Sequence, residues 1–81
     1  MTNKQVAKAF AEGKTKGKSL HMFIDGDMVY SYGRHFVIAR RVTPKAVLFN
    51  ERGYSPTTSR HKALVKLALM DHGISIEEVT L

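Results

Sequence analysis

Between Leu20 and Glu51 the chain passes through a series of β-prone runs separated by turn signals, and this most limits the folds open to it. The stretch "LHMFIDGDMVYSYG" reads as two strands about Asp25-Gly26, a dipeptide suited to the positive φ angles of a tight hairpin. A third run, "RHFVIARRV", and a fourth, "KAVLFNE", are separated by "TPK", whose Pro44 favours a turn. Together the four runs predict an antiparallel meander. In the second run Met28, Tyr30 and Tyr32 share one face and Val29 and Ser31 the other; alternation alone leaves open which face is buried.

Helical periodicity flanks the meander. Residues 3–12, "NKQVAKAFAE", place Val6 and Phe10 one turn apart with Ala7 beside them, and Asn3 stands where a cap is needed. Gly13 stops that helix, and "GKTKGKS" (13–19) reads as a flexible basic loop. It lacks the G-x-x-x-x-G-K-[ST] spacing of a P-loop. A second helix is predicted from Thr57 or Thr58 to about His72, with Leu64, Val65, Ala68 and Leu69 as its apolar stripe and Gly73 as its stop. In "ISIEEVTL" the apolar alternation slips phase, which predicts a last strand that bulges at Glu77-Glu78 or ends there. The order is α-β-β-β-β-α-β: a single α+β domain over 1–81, its sheet covered by helices.

The chain has 81 residues and no cysteine, so neither disulfides nor thiolate zinc sites hold the core. No apolar run approaches the roughly 20 residues of a membrane span, and no signal-peptide core follows Met1, so a cytoplasmic chain with no membrane partner is expected. The formal net charge of +6 is concentrated in the first two thirds of the chain: residues 1–18 hold Lys4, Lys8, Lys14, Lys16 and Lys18 against Glu12 alone. A footprint of this sign attracts polyanions, either nucleic acid or an acidic protein surface.

The stretch "GYSPTTSRHKALVKLAL" combines hydroxyls, a proline and cations at a helix start. Pro56 keeps Ser55 extended, and Thr57, Thr58 or Ser59 can cap the free amides. Capping accounts for the hydroxyls but not for Arg60, His61 and Lys62, whose charges oppose the positive end of the helix dipole. An anion at the amides would reverse that penalty, making Thr58, Ser59, Arg60 and Lys62 a candidate anion pocket and Lys14, Lys16 and Lys18 an electrostatic arm. Tyr30, Tyr32, Phe36 and Tyr54 interleave with Arg34, Arg40, Arg41 and Arg52, as on base-stacking sheets, and Tyr32 and Arg34 are the candidates for base contact. His61 falls on the apolar side of its helix, as a structural histidine does. The four histidines show no metal-ligand spacing, so no metal or cofactor is expected. Acid–base chemistry from His35, His61 and Tyr54, as in a metal-independent phosphodiesterase, is a third reading.

Three blocks, "AFAEGKTKGKS", "YSYGRHFVIARR" and "FNERGYSPTTSRHKALV", resemble a group of small uncharacterised proteins of phage and related viral genomes. The resemblance covers most of the chain, and members typically carry "YSYG" in a strand and "YS-x-TTS-[RK]-H" near a helix start. It implies a viral accessory protein in the host cytoplasm and brings no established activity. The combined expectation is a non-enzymatic domain that binds nucleic acid through phosphate contacts. The alternative is an interaction module modulating a host or viral protein, with a homodimer through an exposed strand edge also open.

Overall fold

The computed structural model describes residues 1–81 and is an α+β fold of two helices on one face of a six-stranded mixed sheet. In chain order the elements are α1 (Asn3–Ala11), β1 (Lys16–Lys18), β2 (Met22–Asp25), β3 (Met28–Ser31), β4 (Phe36–Thr43), β5 (Ala46–Asn50), α2 (Pro56–Asp71) and β6 (Ser75–Val79). A single 3-10 turn, Gly33–His35, joins β3 to β4. The strands lie side by side in chain order. All neighbours are antiparallel except β5 and β6, which run parallel because α2 carries the chain back across the sheet. No helix is long and apolar enough to cross a membrane.

The expected four-stranded meander is therefore one strand short. Residues 16–18 of the supposed loop form β1, with Lys16 opposite Asp25 and Lys18 opposite Phe23. Gly17 faces the helix side there, where a Cβ would stand 3.2 Å from the Ile24 side chain and 3.3 Å from Met1, a close but not forbidding approach. An edge strand so short and so basic also resists pairing with another sheet.

The hairpin between β2 and β3 turns on Gly26, at φ +65°, but its two loop residues are Gly26 and Asp27, since Asp25 pairs with Met28. A bulge at Ile38 lets Val29 pair with Ala39 and Tyr30 with Val37, so Ile38 and Ala39 both turn inward and are fully buried. A second irregularity falls at Val42. The bulge expected at Glu77-Glu78 is absent. β6 pairs in unbroken register with β5, and the phase slip arises because Ile76 faces the helices while Val79 lies on the opposite face beside Asn50.

Val6, Phe10, Met22, Ile24, Val29, Ile38, Val47, Phe49, Val65 and Leu69 fill the space between helices and sheet. Each such side chain removed from water contributes roughly 1.5–3 kcal/mol, before the entropy cost of ordering it. Thr2, not Asn3, caps α1: its hydroxyl accepts from the Gln5 amide at 3.1 Å, and the Gln5 side chain accepts from the Thr2 amide at 2.8 Å. The α2 helix ends in a Schellman turn, with Gly73 at φ +66° and the Ile74 amide donating to Leu69.

Candidate functional site

With both helices on one side, the opposite face of the sheet is open. Pairing and alternation put Lys16, Lys18, Phe23, Asp25, Met28, Tyr30, Val37, Arg40 and Leu48 on it. Phe23 and Tyr30 are directly opposite across the hairpin, and their rings stack at 4.8 Å with planes 16° apart. The Arg34 guanidinium lies over both rings, 5.4 Å from one centroid and 5.3 Å from the other. Asp25 holds it there through an ion pair and raises its pKa, keeping it charged. Arg34 thus presents a flat cation backed by two aromatic rings, with Lys16 and Lys18 on the adjoining strand. Four cations on this face (Lys16, Lys18, Arg34, Arg40) meet three carboxylates: Asp25 and Asp27, each of which pairs with an arginine, and Glu77, opposite Leu48 on β6. The lysines have no carboxylate partner.

Beside the aromatic pair, a cleft of about 410 Å³ opens where the Arg52-Gly53-Tyr54 loop passes the 3-10 turn. Tyr30, Arg34, His35, Phe36, Arg52 and Tyr54 are among the residues lining it, and no acidic side chain is. Tyr54 packs on Phe36 with centroids 5.6 Å apart. The Arg52 guanidinium makes neither an ion pair nor a hydrogen bond, while the Arg52 backbone is fixed by Asn50 and by Lys62.

On the helix side the "SPTTSRHK" segment is organised differently from an anion pocket. Ser55 caps α2, its hydroxyl accepting from the Thr58 amide at 3.1 Å, and Pro56 fills the first turn without an N–H. The Ser59 amide already donates to the Ser55 carbonyl at 2.9 Å. Thr58 is fully buried, and its hydroxyl bonds Ser55 and Ser31. Lys62 reaches back to the Arg52 carbonyl at 2.8 Å and lies over the Phe49 ring. Ser59 and Arg60 are exposed at the surface. The four candidate residues are thus not brought together around a set of free amides: Ser55 takes those of Thr58 and Ser59, leaving that of Thr57.

His61 is buried, as its helical phase implied. Its Nδ1 lies 2.7 Å from the Ser31 hydroxyl and its Nε2 lies 3.3 Å from the Asn3 side-chain nitrogen, while Asn3 accepts from Ser19. Because that amide nitrogen only donates, Nε2 must accept, so the ring is neutral with its proton on Nδ1, donated to Ser31. Burial, and then the neighbouring His21, lower the His61 pKa. Asn3 is committed to this network, which is why Thr2 takes over the cap. Ser31 is fully buried too, and the cluster reads as packing that ties α1, β3 and α2 together.

The remaining candidates divide. Arg34 lies on the open face, over β2 and β3. Tyr32 does not reach it, because its left-handed backbone (φ +58°) turns the ring toward His21, His61 and Tyr54. Lys16 and Lys18 belong to β1, whereas Lys14 precedes it and pairs loosely with Glu12 at 3.9 Å. Arg41 turns to the helix side, donating to the Phe10 and Pro44 carbonyls. Phe23, unnamed by the sequence reading, is the main addition. A turn at Asp25-Gly26 would set Phe23 opposite Met28, whereas the Gly26-Asp27 loop sets it opposite Tyr30.

No family model matches the chain, and the comparisons with curated proteins and with solved structures find nothing similar to it. The functional reading therefore rests on the geometry of the site.

Proposed function

We propose that the protein binds single-stranded nucleic acid on the open face of its sheet, by binding and not by catalysis. The observation that carries this is the Phe23–Tyr30 stack under Arg34, flanked by Lys16 and Lys18. Stacked rings and a guanidinium plane offer bases of any sequence a surface, and lysines on the neighbouring strand match the phosphates. Duplex bases are not free to stack this way, which favours single strands. The resemblance to small phage proteins makes the chain a viral accessory protein acting in the host cytoplasm in this reading.

Fluorescence anisotropy with labelled single- and double-stranded oligonucleotides tests it. The logarithm of single-strand affinity is expected to fall linearly with the logarithm of salt concentration. Lys16→Ala with Lys18→Ala should reduce that slope by about 1.4, two phosphate contacts at roughly 0.7 each. Both side chains sit exposed on an edge strand, so the melting temperature should hold. Absence of oligonucleotide binding even at low salt would remove the reading.

An acidic protein partner is the second reading. It draws on the other side of the molecule, where Leu67 and Met70 are exposed on α2 and Lys4 and Lys8 border the groove between the helices.

A further inference from the structure

The cleft beside the aromatic stack has a chemistry of its own. Its volume of about 410 Å³ lies within the roughly 300–1,000 Å³ of small-molecule sites. Two arginines line it from different segments, Arg34 from the 3-10 turn and Arg52 from the loop before α2, and His35 lies beside them. Arg34 donates from one terminal nitrogen to Asp25 and from the other to the Tyr30 hydroxyl at 3.4 Å, and retains further N–H groups; the Arg52 guanidinium has no partner. Tyr30, Phe36 and Tyr54 supply aromatic surface in the same space. The remaining N–H donors of two arginines suit a phosphomonoester, whose three terminal oxygens can each accept, better than a phosphodiester, which has two.

We infer that this cleft binds a nucleoside monophosphate unit, its phosphate between Arg34 and Arg52 and its base against Tyr54. The inference deepens the nucleic-acid reading, since such a unit occurs at the phosphorylated end of a strand as well as in a free nucleotide. Bound at a strand end, it would fix where the strand starts on the sheet; bound as a free nucleotide, it would make the cleft a sensor beside the sheet surface.

Two measurements on the full chain test the inference. Amide chemical shifts are followed while a nucleoside 5′-monophosphate, the parent nucleoside or inorganic phosphate is added, and affinities are compared for oligonucleotides with and without terminal phosphate. Saturable shifts at Arg52, Gly53 and Tyr54 are expected with the monophosphate, at concentrations where nucleoside and phosphate give little. A several-fold preference for the phosphorylated oligonucleotide would assign the strand end as the source; its absence alongside monophosphate binding would assign the free nucleotide. Arg52→Gln should abolish the monophosphate response, and Tyr54→Ala should reduce the monophosphate response toward that of inorganic phosphate. If oligonucleotides bind regardless of terminal phosphate and the monophosphate leaves the cleft signals unmoved, the inference is overturned while the sheet-face reading stands. Monophosphate binding without any oligonucleotide binding would do the reverse. Silence in both measurements would overturn both, and equal responses to phosphate and monophosphate would reduce the cleft to an anion site.

Discussion

Replacing Phe23 and Tyr30 together by alanine is expected to lower affinity for single-stranded oligonucleotides at least about tenfold, because aromatic stacking contributes roughly 1–3 kcal/mol per base. The slope of affinity against salt should stay near the wild-type value, since neither ring meets a phosphate. This separates the rings from Lys16 and Lys18, whose removal should change the slope. Both rings lie on the face away from the helices and outside the buried core, so the double variant should remain folded by circular dichroism. Arg34 would also lose the surface it lies on, so part of the lost affinity would come from a guanidinium that is no longer held flat. A double variant that binds as tightly as wild type would show that the strand lies elsewhere.

The second large effect concerns the buried histidine. Ser31→Ala should cost about 1–3 kcal/mol in urea denaturation, because the His61 Nδ1 proton would face a buried site with no acceptor. The same network makes stability depend on pH. His61 is held neutral in the fold, with its pKa below the ordinary value near 6.5. Below that pH the unfolded chain takes up a proton that the folded chain refuses. The contribution is therefore whole above about pH 6.5 and falls as pH drops toward the lowered folded value. His21 and Tyr32 are the rings that face His61, and the positive charge His21 gains on protonation acts in the same direction. His61→Gln should flatten the stability difference between about pH 7.5 and 5.5. A variant with the wild-type dependence would place its origin in another group.

What could be read from the chain follows physical lines. Strong local signals were legible: Gly26 marked a hairpin, Gly73 a helix end, and the phase of His61 its burial. β1 was not, because Lys16-Gly17-Lys18 has no apolar alternation and owes its strand to pairing with β2. The open face depended on register, and a turn placed one residue early hid the Phe23–Tyr30 pair. The "SPTTSRHK" segment misled for a related reason. Hydroxyls at a helix start serve a cap and an anion equally well, and only the inward turn of Thr58 toward Ser31 decides how they are used. Tyr32 was assigned to the face of Tyr30 by alternation, which its left-handed backbone breaks.

The central claim is that the nucleic-acid surface is the open sheet face and not the start of α2. Its most direct test is a residue-resolved amide chemical-shift titration of the full chain with a short single-stranded oligonucleotide. The largest shifts are expected at Lys16, Lys18, Phe23, Tyr30 and Arg34, with the amides of Ser59 and Arg60 nearly still. Shifts concentrated at Ser59, Arg60 and Lys62, with the sheet-face amides unmoved, would contradict it.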